Sequence, residues 1–316
     1  MTDRDRLSER ISYGAFAAAE RAAMFLPEFV GRRLFDVAGL AAFHLAARAR
    51  GVVEGNLRRV LGRPAASPIV RAVAKEAFRS YARYWYDTFR IRVMPAQEFR
   101  SRVRFVGMEH IERALEAGRG AVLALPHLGN WDVAGCYVVR TGKPVTAVAE
   151  LLRPERLYRL FLEHRRALGM GIVPLEDDRA VADELIRLTG ENVLIALVAD
   201  RDLKGRGVEV EMFGETTRMP AGPALLSLFT GAPLLPAACY DLADGWLIDI
   251  GEPLEIEPSG VMRTDVITLT RLLAKRFERS ISAAPTQWHM FQPVWDLGTS
   301  GERDAEAAAE ASGASP

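Results

Sequence analysis

Apolar and polar positions follow two different periods along the chain, and the change falls near residue 104. In residues 11–49, large apolar side chains recur at mixed steps of three and four, which predicts an amphipathic pair of helices. A further helix is predicted at residues 69–92, because a Ser-Pro pair precedes it and aromatic side chains recur along it. Residues 1–104 are therefore predicted to form an almost entirely helical region.

Beyond this region, short apolar runs alternate with amphipathic segments. Strands are predicted at residues 103–106, 121–125, 145–149, 172–174, 193–199, 208–213, 234–240 and 246–250, with helices between most of them. The runs at 121–125 and 193–199 are continuously apolar, as expected for strands that are covered on both faces. The sequence thus predicts an α/β core over residues 105–297, with a mostly parallel or mixed central sheet flanked by helices.

The ends of the chain and its cysteines narrow the class of protein. Residues 298–316 are rich in Ala, Glu, Ser and Gly and lack aromatic side chains, which predicts a disordered tail. No apolar run approaches the roughly 18 residues of a membrane-spanning helix, and the first ten residues do not resemble a signal peptide. Cys136 and Cys239 lie in apolar stretches, which is typical of buried thiols in a reducing compartment.

Charge is balanced over the whole chain but not along it. The chain has 41 Lys/Arg and 41 Asp/Glu, whereas residues 1–104 hold 20 Lys/Arg against 10 Asp/Glu, a surplus of 10 positive charges. Such a surplus suits contact with phosphate groups of anionic lipid or nucleic acid, or it is a solvated basic face. Together with the amphipathic helices it favours a region that lies on a membrane surface, although the same helices could pack on the protein's own core.

The strongest chemical signal is at residues 125–132, which read Leu-Pro-His-Leu-Gly-Asn-Trp-Asp. His127 directly follows a predicted buried strand, at the sheet edge where open α/β folds bind ligands. Asp132 lies in the first turn of the next predicted helix and could reach back to the imidazole, raising its basicity. A histidine held in this way can take a proton from an alcohol. The alternative is a polar loop with an ordinary hydrogen-bonded histidine.

A second polar cluster, Asp200-Arg201-Asp202, follows the predicted strand at 193–199. If the two strands are neighbours, these groups converge on His127. They form either a structural ion-pair network or a histidine partner beside an anion-binding cation. Arg218 precedes a predicted helix at 221–229 whose first backbone N–H groups could hold phosphate, or which simply begins there.

Four blocks together resemble the lysophospholipid-type acyltransferases of the lipid A lauroyl/myristoyl acyltransferase superfamily. The blocks are Asn56-Leu57-Arg58, Pro126–Asp132, Asp200-Arg201-Asp202, and Phe213-Gly214 followed by Met219–Ala224. Within this superfamily, residues 200–210 and 218–224 most resemble the actinobacterial phosphatidylinositol mannoside acyltransferases. The similarity spans about residues 10–295.

The resemblance implies a peripheral enzyme on the cytoplasmic face of the inner membrane, bound to an anionic membrane surface. It implies transfer of an acyl chain from acyl-CoA to the 6-hydroxyl of a mannose in a phosphatidylinositol mannoside. Acyl-CoA would be a co-substrate; no metal, bound cofactor or nucleic-acid partner is implied.

The resemblance also assigns roles to residues. It implies that His127 is the general base and that Asp200 is its acidic partner. Asp132 is the second candidate for that partner. Glu150 and Arg165 are implied to line the donor and acceptor pocket, and Arg201 matches the family's second-block arginine. Asn130 and Arg218 are predicted as further substrate contacts. The oxyanion is expected to be stabilised by backbone groups around residues 129–130 or by an arginine.

Rival functions remain open at this point. A lipid A-type or glycerol-phosphate acyltransferase would differ only in its acceptor. A metal hydrolase would use His127, Asp132, Asp200 and Asp202, but the sequence lacks the paired-histidine spacing of such sites. A lipid-binding protein without catalysis is the third reading, while an RNA-binding one lacks any recognisable motif. Because no Gly-x-Ser-x-Gly turn is present, direct transfer without an acyl-enzyme is expected.

Overall fold

A computed structural model describes residues 3–150, 155–175, 178–202 and 204–295. The helices are α1 (Asp3–Phe25), α2 (Glu28–Leu45), α3 (Ala47–Val60), α4 (Pro68–Arg90), α5 (Ala96–Arg102), α6 (Met108–Glu116), α7 (Trp131–Arg140), α8 (Glu155–Ala167), α9 (Asp178–Gly190), α10 (Gly222–Thr230) and α11 (Met262–Ala283). The strands are β1 (Val103–Val106), β2 (Ala121–Leu125), β3 (Val145–Glu150), β4 (Gly171–Leu175), β5 (Leu194–Val198), β6 (Val208–Met212), β7 (Glu215–Met219), β8 (Leu234–Asp241) and β9 (Trp246–Ile250). The tail predicted to be disordered, residues 298–316, lies outside the described residues.

A seven-stranded sheet forms the centre of the fold, in the order β1-β9-β8-β2-β5-β3-β4. Every neighbouring pair is parallel except β8 and β9, which are antiparallel. The α/β fold with a mostly parallel, mixed sheet is therefore confirmed. β1 pairs with β9, so the predicted N-terminal helical region ends inside the sheet.

Strand β2 lies at the middle of this sheet and is buried along its whole length. Because side chains alternate between the two faces of a strand, its residues enter two separate apolar clusters. Val122 and Ala124 pack in the cluster that includes residues of α10 and α11. Leu123 and Leu125 pack in the cluster that includes residues of α6 and α7. Burying one such leucine side chain contributes about 1.5–3 kcal/mol, which explains the continuous apolar run.

The hairpin of β6 and β7 was not predicted correctly. The sequence predicts no strand between residue 213 and the helix at 221–229, whereas β7 lies there and pairs antiparallel with β6. The turn between them has positive φ at both Phe213 and Gly214, at 53° and 77°. This is the backbone of a tight hairpin turn, but phenylalanine is not a residue that signals one.

The N-terminal helices pack around α4. Ser67 caps α4 by accepting a hydrogen bond from the backbone N–H of Ile69, as its Ser-Pro start predicted. Three of the aromatic side chains of α4, Tyr84, Tyr86 and Phe89, are fully buried and belong to the core. Helix α4 also packs against α7 and the 3₁₀ turn at Pro285–Gln287, which places it beside the strand ends. Among the described helices, none is both long and apolar enough to cross a membrane.

Candidate active site

The carboxyl ends of β2 and β5 bring a histidine and an aspartate together. These strands are parallel neighbours in which Leu125 lies opposite Val198. His127 and Asp200 each follow two residues later, so both side chains leave the sheet at the same edge. Asp200 Oδ1 lies 2.5 Å from His127 Nδ1, and Asp200 Oδ2 accepts the backbone N–H of His127 at 2.9 Å. The convergence expected for neighbouring strands is present.

Electrostatics favour a charged Asp200 beside the imidazole of His127. Asp200 is completely buried. Burial raises its pKa, but the charge of His127 and the hydrogen bonds from His127 and Trp288 outweigh this effect, so the pKa of Asp200 lies below its ordinary value. The anion holds the tautomer of His127 that has hydrogen on Nδ1. Nε2 is left for a substrate proton, and the His127 side chain is 26% exposed.

Asp132 does not reach the imidazole. Its Oδ2 accepts the hydroxyl of Tyr84 at 2.5 Å, and its Oδ1 accepts Nε–H of Arg165 at 2.7 Å. Burial raises the pKa of Asp132, but the charge and hydrogen bond of Arg165 bring it below its ordinary value. Asp132 and Arg165 are thus a buried ion pair between α7 and α8. The reach of Asp132 toward His127 expected from the sequence is wrong, because α4 and α8 supply nearer partners.

The loop between His127 and α7 depends on a glycine and a cap. Gly129 has φ of +57°, and a Cβ there would lie 2.2 Å from the carbonyl oxygen of Cys239. Its N–H donates to the carbonyl of Gln287 at 3.0 Å and is therefore not free for an oxyanion. Asn130 is buried and caps α7, since its Oδ1 accepts the N–H of Val133. In this structure Asn130 shapes the loop from inside the protein.

The remaining residues predicted to bind substrate fall into two places. Glu150, the last residue of β3, forms an ion pair of 2.5 Å with Arg201, which directly follows Asp200. This pair lies near the end of β5, beside the two residues His127 and Asp200, which are called the dyad below. Arg201 also donates to Gln292. Arg218 is instead on β7, where it donates to the carbonyl of Gly205 at 2.8 Å. Helix α10 begins at Gly222, close to the predicted helix at 221–229, but Arg218 lies on the strand before it and not at the first turn of the helix.

An apolar cavity of about 80 Å³ lies between α7 and one face of the sheet. Its walls come from five neighbouring strands, β9, β8, β2, β5 and β3, which together span roughly 19 Å at the usual strand spacing. Trp131, Asp132 and Arg165 also line it. The edge of the Trp131 ring meets the His127 ring, with centroids 5.5 Å apart, so the cavity adjoins the dyad.

Two residues of the site were missed by sequence reasoning. Trp288 donates its indole N–H to Asp200 Oδ2 at 2.8 Å. His289 is buried, and burial together with the nearby His127 and Arg83 lowers its pKa to about 3, so it is neutral. Both follow the last long helix, in a segment to which no element had been assigned. The available signal was a Gln-Trp-His run of polar and aromatic residues after α11.

Comparison with known proteins identifies relatives over almost the whole chain. The family model described as bacterial lipid A biosynthesis acyltransferase matches residues 2–296. A phosphatidylinositol mannoside acyltransferase of Mycolicibacterium smegmatis is 41% identical over 309 residues, which cover 95% of this chain and 98% of that protein. A phosphatidylinositol mannoside acyltransferase of Mycobacterium tuberculosis is 41% identical over 298 residues, which cover 92% of this chain and 91% of that protein. These matches confirm the resemblance found from the motifs, and the chain belongs to the bacterial lipid A biosynthesis acyltransferase family.

Proposed function

We propose that this protein is an acyl-CoA-dependent O-acyltransferase of the inner membrane that acylates phosphatidylinositol mannosides. The acyl chain is long, with palmitoyl the expected donor, and the acceptor is the 6-hydroxyl of a mannose. The observation that carries the proposal is the His127–Asp200 pair next to an apolar cavity, in a chain of an acyltransferase family. The acceptor is taken from the curated relatives, which are named for that substrate.

In this proposal His127 is the general base. Nε2 takes the proton of the sugar hydroxyl while the hydroxyl oxygen attacks the carbonyl carbon of the thioester. The tetrahedral intermediate then expels CoA thiolate, so that a C–O bond has formed and the C–S bond has broken. The proton passes from His127 to the departing thiolate. Asp200 stabilises the positively charged imidazole between these two steps.

Direct transfer, without an acyl-enzyme, is favoured by the state of the cysteines. Cys136 and Cys239 are both buried and unpaired. Burial raises the pKa of the Cys136 thiol to about 11 and raises that of Cys239 as well. Thiols of this kind are poor nucleophiles near neutral pH.

The cavity under α7 is proposed to receive the acyl chain. Its walls are apolar, and the ion pair of Asp132 and Arg165 lies at its boundary. A cavity of about 80 Å³ is smaller than a palmitoyl chain. Long-chain binding therefore requires lining side chains such as Met170 to turn aside.

Two arginines are proposed to contact the polar parts of the substrates. Arg201 has a buried Nε with no hydrogen-bond partner among the described residues, although its terminal nitrogens bind Glu150 and Gln292. Arg201 and Glu150 together present a donor and an acceptor suited to sugar hydroxyls. Because the N–H of Gly129 is already used, Arg165 is the stronger candidate for stabilising the oxyanion.

A membrane surface is proposed as the place of the reaction. Phe25 and Phe29, at the junction of α1 and α2, are 81% and 70% exposed. Val30, Leu34 and Val37 continue this apolar surface along α2, at steps of four and three residues. The opposite stripe of α2 is buried against α4. With the basic surplus of residues 1–104, this surface suits an anionic bilayer at the cytoplasmic face.

The test is a transfer assay with three acceptors. Purified protein receives palmitoyl-CoA and vesicles that contain a phosphatidylinositol mannoside, a lipid A precursor or lysophosphatidic acid. Released CoA is followed with a thiol reagent and the lipid by mass spectrometry. We expect mannoside-dependent release of CoA and a lipid product heavier by one palmitoyl group.

The other outcomes separate the alternatives. Turnover with another acceptor alone would show acyl transfer but refute the mannoside assignment. If no acceptor releases CoA while the protein still binds the vesicles, the protein is a lipid-binding one and the enzymatic proposal fails.

A further inference from the structure

The chain after the 3₁₀ turn forms a strap, defined here as residues 287–294, that lies directly against the catalytic loop. The N–H of Gly129 donates to the carbonyl of Gln287 at 3.0 Å, and the N–H of His289 donates to the carbonyl of His127 at 2.7 Å. Leu128 and Trp288 form an antiparallel bridge between these two bonds. The strap therefore fixes the backbone of the loop at His127.

Asn56 on α3 holds the strap from behind. It is buried, and its side-chain amide donates to the carbonyls of Met290 and Gln292, at 3.1 Å and 2.8 Å. Its carbonyl oxygen accepts the N–H of Val294 at 3.4 Å. An amide that satisfies three strap groups at once fixes the path of the strap. The Asn-Leu-Arg block takes no part in the catalytic scheme. Its Asn56 instead has a structural role, which is to hold the strap.

We infer that Trp288 is a positioning residue for the dyad: its indole N–H holds Asp200 Oδ2, so that Oδ1 stays aligned with His127 Nδ1. Trp288 is 1% exposed, and its N–H lies 2.8 Å from Oδ2. Oδ2 also accepts the backbone N–H of His127 at 2.9 Å, so this oxygen is held by two donors. The inference rests on the proposed role of His127 as general base.

Removing this N–H has two consequences that differ from lost packing. The carboxylate gains freedom to rotate, so fewer molecules hold the imidazole in the productive orientation. The negative charge that the indole shared is concentrated toward the imidazole, which stabilises its protonated form. The rate then falls, and the acidic limb of the pH profile moves to higher pH.

Other titratable groups near the dyad do not obscure this limb. Burial leaves His289 neutral, with a pKa near 3, and raises the pKa of Tyr81 and Tyr84 above the ordinary phenol value. Asp132 stays charged beside Arg165, because its pKa lies below the ordinary value.

Two buried acids behind the strap do titrate in the working range, and Arg201 is held in an ion pair. Burial raises the pKa of Asp87 to about 6 and that of Asp241 to about 7. Asp241 contacts Gln287 of the strap only through its backbone. Arg201, next to Asp200, is paired with Glu150. These groups are the same in wild type and in the variants. A difference between the pH profiles of wild type and variant is therefore caused by the dyad.

The experiment compares Trp288→Phe with Trp295→Phe. Trp295 is also buried and donates its indole N–H to the carbonyl of Met212 at 3.3 Å. Its ring contacts that of Trp288, so Trp295→Phe is a matched loss of an indole N–H in the same surroundings that leaves the bond to Asp200 in place. We expect Trp288→Phe to lower kcat by about 10- to 100-fold with KM for both substrates nearly unchanged. The acidic limb of kcat/KM should rise by roughly 0.5 pH unit or more. Trp295→Phe should change neither quantity.

A substrate-free readout separates this inference from the proposed function. Diethyl pyrocarbonate reacts with unprotonated imidazole, and peptide mass spectrometry reports its reaction at His127 across pH. The midpoint of that curve should move upward in Trp288→Phe even if no acceptor is turned over. If kcat and both pH curves match those of Trp295→Phe, Trp288 is only a packing residue and the inference is wrong.

A second variant covers the case in which phenylalanine disturbs the fold. Benzothienylalanine at position 288, introduced by nonsense suppression, keeps the indole shape with sulfur in place of N–H. The same fall in kcat and the same upward shift are expected. Wild-type values for this variant would overturn the inference.

Discussion

Three buried carboxylates show how the surroundings of a residue decide its charge. Asp200 is stabilised by His127 and Trp288, and Asp132 by Arg165 and Tyr84, so the pKa of each lies below its ordinary value. Asp241 is the contrast. Neither of its carboxylate oxygens has a hydrogen-bond partner among the described residues, and burial raises its pKa to about 7. The same residue type is therefore a stable anion at positions 200 and 132 and an unstable one at position 241.

The isolated carboxylate predicts a pH-dependent stability. The pKa of Asp241 is raised in the folded state. The contribution of the protonated side chain to the stability of the fold is therefore fully present below about pH 4, and it is lost as pH rises through about 7. Asparagine imitates the protonated acid at every pH. We expect Asp241→Asn to raise the free energy of unfolding in urea by about 1–3 kcal/mol at pH 8 and by about a third of that amount at pH 5.

An exposed neighbour serves as the control for this variant. Asp244→Asn, on the connection between β8, which ends at Asp241, and β9, should leave the free energy of unfolding unchanged at both pH values. An equal effect of Asp241→Asn at pH 5 and pH 8 would show that the Asp241 carboxylate is not strained by burial.

Among the helices, α7 lies beside both the dyad and the apolar cavity. Its first turn holds Asp132 next to the dyad, while Ala134, Gly135 and Val138 on its inner side line the cavity above the sheet. Small residues on β3 and β5, Ala147 and Ala196, lie opposite each other in register and leave that space unfilled. Size at these positions should therefore set how long an acyl chain can bind.

Filling the cavity should discriminate between donors by length. Ala196→Leu adds three carbons to the middle of the cavity floor, between Leu123 and Ala147. A displaced chain loses about 0.8 kcal/mol per unburied methylene, so kcat/KM with palmitoyl-CoA should fall about 10-fold or more. With octanoyl-CoA it should stay within about 3-fold of wild type, because a short chain needs less space.

Ala182→Leu, an exposed change on α9, is the control for added bulk, and a thermal melt checks the fold of both variants. An equal loss with both donors would mean that the cavity does not hold the acyl chain.

Elements were largely predictable where apolar pattern decides them. The continuous runs of β2 and β5 and the capped start of α4 were found, since burial on both faces and a Ser-Pro pair leave local signatures. β7 was missed because its Glu-Thr-Thr-Arg-Met sequence is polar and its turn uses a phenylalanine at positive φ. A strand that gains its partner from a hairpin carries little signal of its own.

At the scale of the whole molecule, the site joins distant parts of the chain. His127 and Asp200 were predictable together, because neighbouring parallel strands end at one edge. Trp288 was not, since it reaches Asp200 only through a strap fixed by Asn56, more than two hundred residues away in sequence. The partner of Asp132 was missed for a similar reason: Arg165 approaches from α8, and sequence spacing favoured the nearer histidine.

The exposed apolar surface predicts how the molecule meets a membrane. Replacing Phe25 and Phe29 by serine removes two large side chains from the junction of α1 and α2. Partition onto vesicles of phosphatidylinositol and phosphatidylglycerol, measured by sedimentation, should weaken about 10-fold or more. Phe229→Ser, which removes an equally apolar side chain that is 64% exposed on α10, should leave partition unchanged. Equal weakening by both changes would mean that this N-terminal surface does not dock on the bilayer.

If His127 is the base that activates the acceptor, removing its imidazole should abolish transfer without abolishing donor binding. The palmitoyl-transfer assay is run with wild type, His127→Ala and His110→Ala, a histidine on α6 with no contact to the dyad in the described structure. We expect kcat to fall by about 10³-fold or more in His127→Ala, with palmitoyl-CoA still bound, and to stay near wild type in His110→Ala. Acceptor-dependent transfer by His127→Ala at a rate within about 10-fold of wild type would contradict this role of His127.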